Sequence, residues 1–411
     1  MHGSTEGPEL NPLRAYLMGT GSWFVGFGIQ MVTFAWLVTM VLDASPAMVG
    51  VAQMALLTPM LILVLIGGGL ADFLGGRRVA LVAQGLAVLP PLLLALVIWQ
   101  GQLSFATMVA YGIAMGSVSA FLTPARDGLL NDVASGTVQQ AVVLAMLVQF
   151  IGQMVGIFIA SFATRWGAVT VLTFQGTIFL VGVLGFARIP RPEVAPVRRH
   201  TSMLTELRQS IVAGYRVVAG DPATRTTVLQ NIAISVFFIG AFIVTIPLLV
   251  REYYGGDSTE LGWTNGAFSL GLVIVVALLT RVPDLTHPGR ALIVAQATGA
   301  VALAGAGLGV PFPVFVALIL TWGAFGGVAM SMSRTIVQER APADSRGRVL
   351  SFYTLSLMGA GPIGALFNGF MVGWIGPRHT LVLAAGLMFL TMVVVALTSQ
   401  LWNLKGHTTD S

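Results

Sequence analysis

The chain has 411 residues, of which 56% are hydrophobic and only 9% charged, with a formal net charge of +5 and a mean hydropathy of +0.87. Soluble domains carry about 25% charged residues, so this composition excludes an ordinary water-soluble protein. Cysteine is absent, which excludes disulfides, thiolate metal sites and thiol nucleophiles.

Apolar runs repeatedly reach the roughly 20 residues that cross a bilayer as a helix. No ten-residue alternation of the kind that builds a membrane barrel is present. Helices and closed barrels are the only backbones that satisfy themselves in lipid. The fold class is therefore an all-α polytopic membrane protein.

In chain order, residues 1–12 form a polar tail without the basic start, short apolar run and cleavage site of a secretory signal. Six spans follow at 13–42, 47–68, 78–100, 103–123, 138–164 and 168–187. Six more are expected at 226–250, 261–280, 290–310, 312–336, 347–374 and 378–401, before a tail at 402–411. The domains are thus a six-helix half at 13–187, a linker at 188–225 and a second six-helix half at 226–401. The linker opens on Pro190, Pro192 and Pro196, and 203–219 spaces Leu204, Leu207, Ile211, Tyr215 and Val218 on one helical face. That pattern predicts an amphipathic helix lying on the membrane surface.

Basic residues set the orientation. All but Arg165, Arg251 and Arg378 of the 21 fall on the side of the termini. Cytoplasmic loops are enriched in Lys and Arg, so both termini are expected inside. The basic charge suits an anionic leaflet rather than nucleic acid.

Residues 68–78 read as a short charged loop between the second and third spans, with Asp72 followed six residues on by Arg78. The same spacing returns in the second half as Asp284 and Arg290. Asp43 before span two is matched by Asp257 before span eight, and Gly152 and Gly167 by Gly361 and Gly376. The segments after spans four and ten are also polar, carrying Arg126 with Asp127, then Arg334 and Arg340. Two related six-helix halves about an axis normal to the membrane are the repeat pattern of one large transporter class.

On these residues the chain resembles the major facilitator superfamily over nearly its whole length. The family's loop between spans two and three reads Gly-x-Leu-Ala-Asp-Arg-x-Gly-Arg-Arg, and Gly68, Leu70, Ala71, Asp72, Gly75 and Arg77 match it. Phe73 and Gly76 stand where two basic residues are usual, and Gly156 is followed by Ile157 where the family's antiporter signature has proline. Segments 123–130, 337–349 and 359–364 are similar to the bacterial efflux branch that contains enterobactin and macrolide exporters. The resemblance implies that Asp72, Arg77, Arg78, Arg126 and Asp127 latch the outward-facing state, with Asp284 and Arg290 as the second copy. Gly361 and Pro362 can form a bend that moves during the cycle.

All 16 acidic residues lie in tails, loops or span ends, and no span carries a central His. Intramembrane ionisable groups are the usual markers of proton relays. Coupling to protons, which stays open, would have to use Asp43, Asp127 or Glu252. Substrate recognition falls to neutral and aromatic groups: Trp23, Gln30 and Trp36 in span one, Tyr111 in span four, Gln149 and Gln153 in span five. The second half adds Gln230, Asn231 and Phe238 in span seven and Trp322 in span ten. Such a pocket fits a bulky amphipathic organic molecule such as a drug, macrolide or siderophore.

No carboxylate cluster, His-Glu zinc pair or Walker loop is present, so an enzyme is not expected, and neither is a metal or cofactor. A lysophospholipid or other lipid transporter of the same superfamily is the alternative, since 124–130 also resembles those proteins. A non-transporting receptor or scaffold is the distant one. The expected partners are a small-molecule or lipid substrate and membrane lipids, with the chain acting as a monomer in a bacterial inner membrane.

Overall fold

The computed structural model describes residues 12–134, 138–190, 212, 215–279, 281, 286–341 and 346–404, and every regular element among them is helical. Helices α1 (Pro12–Val41), α2 (Pro46–Leu74), α3 (Gly76–Trp99), α4 (Phe105–Val133), α5 (Val138–Ala160) and α6 (Ala168–Ala187) form the first set. The second begins with α7 (Pro222–Glu252), α8 (Ser258–Leu279), α9 (Pro288–Gly307) and α10 (Phe312–Arg340). The last apolar stretch, Phe352–Thr398, is long enough for two spans and is broken at Gly376, where φ is 77° and ψ 164°. With α11 at 346–375 and α12 at 377–398, the described residues hold twelve helical spans.

The structure corrects how the charged segments were expected to fold. Residues 68–78 are helical on both sides of one hinge, Gly75, whose φ of 88° favours a residue without Cβ. Residues 123–130 lie inside α4, and α10 continues through Arg334 to Arg340. Hydropathy ends a span where polarity begins, whereas the backbone keeps its hydrogen bonds and runs on as helix. Of the amphipathic helix expected at 203–219, residues 215–219 are helical and most of the rest lies outside the described residues.

By packing, the chain divides into two units. The first holds 1–31, 62–103 and 114–200, and the second 32–61, 104–113 and 201–411, so α1, α2 and α4 each contribute to both.

In the first unit, small residues let helices close on one another. A side chain at Gly156 of α5 would collide with the Val25 carbonyl of α1, and one at Gly26 with the Phe179 ring of α6. Buried polar groups then stitch the seam. Ser22 Oγ donates to the Ile178 carbonyl at 2.7 Å, and Gln84 Nε2 to the Phe179 carbonyl at 3.1 Å and Ser22 Oγ at 3.3 Å. Gln175 Nε2 donates to the Gly26 carbonyl at 3.0 Å.

In the second unit, α7 is wound as π-helix over Ile234–Ile239 and Ala241–Thr245. Wide turns of this kind are rare and concentrate at functional places. They leave carbonyls for side chains to meet: Asn368 Nδ2 of α11 reaches the Val236 carbonyl at 3.0 Å, and Gln53 Nε2 of α2 reaches that of Ile243 at 3.0 Å. Thr245 Oγ1 closes the network on Asn368 Oδ1 at 2.8 Å.

Candidate functional site

The most concentrated charge network among the described residues lies in the second unit, at the span ends remote from the termini. The last turn of α1, Leu37–Val41, is π-helical, and its final carbonyls have no partner within the helix. Arg251, in the last turn of α7, supplies one. Its Nη1 donates to the Thr39 carbonyl at 2.8 Å and the Ala44 carbonyl at 3.2 Å, and to Asp43 Oδ1 at 2.9 Å. Its Nη2 donates to Glu252 Oε1 at 2.8 Å. The guanidinium also meets the negative end of the α1 dipole.

These contacts are unequal. The Asp43 side chain is 86% exposed, so its ion pair is screened and weak, while the Arg251 side chain is 19% exposed. The carbonyl bonds, charge-assisted and sheltered, do most to hold α1 to α7. Asp43 itself sits at φ 47°, a left-handed conformation that only a few non-glycine residues adopt.

Nearby, Tyr253 and Tyr254 donate to the Gly309 and Val310 carbonyls, each at 2.8 Å. Burial pushes the Tyr254 hydroxyl up to about 12, with the neighbouring Tyr253 adding to the rise and Arg378 opposing it.

Deeper in the second unit, aromatic and amide groups cluster. Trp322 meets Phe238 at 5.4 Å, Phe242 at 5.9 Å and Phe268 at 4.9 Å between ring centres. Asn231 Nδ2 donates to Ser356 Oγ at 3.3 Å, and its Oδ1 accepts from Ser333 Oγ at 3.3 Å. Phe238 and Trp322 are thus brought together, as are Asn231 and two serines that sequence reasoning missed.

The other expected cavity residues scatter. Trp23 is buried and stacked on Phe179 at 5.3 Å, a packing role within the first unit. Tyr111 stacks on Phe34 at 6.0 Å, and Trp36 is buried. Gln153 Nε2 meets Met31 Sδ at 3.3 Å, while Gln30 and Gln149 hydrogen-bond to no described residue. Gln230 lies 2% exposed, with neither amide atom partnered.

The expected latch residues are also placed differently from one another. Arg77 donates through Nε to the Ile189 carbonyl and through Nη2 to the Ala187 carbonyl at 2.7 Å, capping the end of α6. Arg290 does the equivalent in the second repeat, donating through Nε to the Trp402 carbonyl just past α12 at 2.8 Å. Both arginines are therefore engaged within their own six-span set. Arg126 is buried, with its guanidinium 4.7 Å over the Phe24 ring and bonded to Asp127 Oδ1 at 3.1 Å, and its Nη1 has no partner. Arg78 is exposed, Asp72 is helical with its side chain outside the described residues, and Asp284 lies outside them altogether. Gly361 and Pro362 are buried directly after a break in α11 at Ala360.

Among the described residues, no group of three or more His, Cys, Asp or Glu is arranged to hold a metal ion.

Comparison with known proteins decides the family. A model of the family described as transmembrane secretion effector matches residues 16–410. The chain belongs to this family. The multidrug efflux pump Tap of Mycobacterium tuberculosis is 27% identical over 97% of this chain and 94% of its own length. The enterobactin exporter EntS of Salmonella typhimurium is 24% identical over 82% of the chain and 79% of its own. Among solved structures, a D-xylose-proton symporter superposes with a TM-score of 0.74 at 13% identity, covering 94% of this chain and 97% of that one. The nucleoside transporter NupG superposes at 0.67 with 14% identity, covering 94% and 98%. These structures share the fold, and the family makes the chain a multi-pass membrane transporter of the major facilitator superfamily.

Proposed function

We propose that this transporter is a monomer in a bacterial inner membrane, with both termini cytoplasmic, and that it exports a bulky amphipathic organic molecule by alternating access. The chemistry of the reading is that of a drug, macrolide or siderophore, in line with relatives named for multidrug and enterobactin export. The clasp at Arg251 carries it. Alternating access requires two arrangements of packed helices, and a sheltered guanidinium shared by the ends of α1 and α7 is a contact that opens as a unit. The neutral interior supports the cargo class, since Phe238, Trp322 and Asn231 offer ring faces and amide bonds without a fixed charge.

The first repeat supplies the complementary latch in this proposal, with Asp72, Arg78 and Arg126–Asp127 at the cytoplasmic ends, and the break before Pro362 in α11 of the second repeat is the moving bend. Proton coupling in this reading uses span-end carboxylates. Asp43 meets Arg251 from the α1 side and Glu252 from its own helix, which makes these two carboxylates the candidates. Neither enzymatic chemistry nor nucleic acid enters the reading.

Everted membrane vesicles supplied from outside with a panel of dyes, macrolides, catecholate siderophores and lysophospholipid test it, with and without a pH gradient. Wild type is expected to accumulate an amphipathic organic compound. Arg251→Ala removes bonds to a charged donor worth about 1.5–3 kcal/mol, so its transport falls about tenfold or more while substrate binding persists. Transport of lysophospholipid alone would replace the export reading with lipid transfer, and full activity of Arg251→Ala would remove the clasp.

A further inference from the structure

The first turns of α7 and the last turns of α12 border a groove of about 560 Å³ in the second unit. Its floor carries Gln230, which is 2% exposed and has no partner for either amide atom. A buried amide with both ends unmade carries an uncompensated desolvation penalty, which a bound group relieves. Five residues nearer the start of α7, about 7 Å along the axis, stands Arg225. Arg225 is exposed and pairs with no described carboxylate, because the adjacent Asp221 is taken by Arg340 at 3.0 Å.

Apart from the Gln400 amide, the remaining polar lining has one property in common. Thr226, Thr391, Thr398 and Ser399 each donate a hydroxyl hydrogen to the carbonyl four residues back, at 2.6–2.8 Å. With the hydrogen committed, each hydroxyl offers only acceptor lone pairs. The groove therefore presents one strong cation, a set of acceptors, and two amides, Gln230 and Gln400, that can do either. Its flanks are apolar and outward-facing: Leu229 is 59% exposed and Leu397 80%, in helices of membrane-spanning hydropathy. The groove thus opens beside apolar, membrane-spanning helix surface.

We propose that this groove seats the headgroup of a glycerophospholipid that carries hydrogen-bond donors as well as its phosphate, such as an ethanolamine or glycerol headgroup. The phosphate meets Arg225. The ammonium or hydroxyl hydrogens meet the threonine and serine lone pairs, and Gln230 Nε2 donates to an ester carbonyl at the deeper level. A choline headgroup has the same phosphate and no donor, so it leaves those lone pairs unmet. A bare anion meets the same acceptors with like polarity.

The test is thermal stability of the full chain, purified in a neutral detergent, with added dioleoyl phosphatidylethanolamine, phosphatidylglycerol, phosphatidylcholine or inorganic phosphate. The first two are expected to raise Tm by a few degrees, and the last two not. Arg225→Gln and Gln230→Leu each remove most of that gain. Neither should impair folding, because Arg225 is exposed and the Gln230 amide is unpartnered. An equal gain from phosphatidylcholine overturns the donor requirement, and an equal gain from inorganic phosphate makes the groove a free-anion site. A gain that survives in both variants places the lipid elsewhere and ends the proposal.

Discussion

The α1–α6 seam and the α7–α12 seam occupy equivalent places in the two repeats, yet one is filled and the other is open. Between α1 and α6, glycines admit the Phe179 and Phe186 rings, Trp23 stacks on Phe179, Gln175 bonds to the Gly26 carbonyl across the seam, and Gln84 of α3 reaches in to the Phe179 carbonyl. The second repeat keeps glutamines at Gln230 and Gln296, both 2% exposed, and neither amide finds a partner. The seam ends nonetheless match, since Arg77 and Arg290 each cap the carbonyls that follow the sixth span of their set. Duplication has kept what the backbone demands, namely donors for the orphan carbonyls at a helix end. Side-chain infill answers only to packing, so it has diverged, and the second repeat retains polar groups free for a ligand.

Opening the filled seam should be costly. Phe179 is 0% exposed, and Phe179→Ala removes the ring that both Gly26 and Trp23 pack against. Large-to-small changes of this kind cost about 3 kcal/mol or more where the surroundings cannot collapse. A large drop in Tm in detergent is expected, and an unchanged Tm would mean that the infill does not hold the first repeat together.

The glutamines sharpen the contrast because the same substitution should act with opposite sign. Gln84→Leu loses the two Nε2 bonds to Phe179 and Ser22, about 0.6 kcal/mol each by the average for polar contacts between membrane helices, partly offset by removal of its unpartnered Oε1. Gln296→Leu removes a buried amide that has no bonds to lose, and so should stabilise by about 1 kcal/mol. Parallel melting curves decide the matter; two losses of similar size would show that Gln296 is paired in solution and that the repeats do not differ.

The twelve spans and their breaks were legible because lipid imposes a length and a polarity on each helix. What hydropathy could not register was helix beyond the membrane, which is why 68–78 and 123–130 read as loops although only Gly75 departs from helix. Gln230 and Asn231 were both expected in the substrate cavity, but neighbours on a helix point about 100° apart. One faces the groove with α12, while the other bonds to serines of α10 and α11. Arg251 was counted only as one of three basic residues on the far side, because its partners are backbone carbonyls of α1, which no side-chain pattern announces. Asn368 could have been found, since a lone amide in the middle of an apolar span seldom lacks a function.

The start of α7, which bounds the open seam, depends on a titratable cap. Asp221 accepts from the Thr224 backbone N–H at 2.8 Å and Thr224 Oγ1 at 2.6 Å, and pairs with Arg340 at 3.0 Å. Burial alone would raise its pKa, but the Thr224 bonds and the Arg340 charge outweigh that and hold it below its ordinary value of 3.8. A carboxylate depressed on folding stabilises the protein above its unfolded pKa, and the contribution fades as pH falls through the folded one. Asp221→Asn keeps the cap, since asparagine serves there as well as aspartate, and loses the ionic part of the pairing. With both side chains partly exposed, that part is a few tenths of a kcal/mol. The variant should therefore melt slightly below wild type at neutral pH, and the gap should close as pH falls below about 3.8. A gap that persists unchanged into acid would assign the role of Asp221 to its shape rather than its charge, and would leave the start of α7 indifferent to pH.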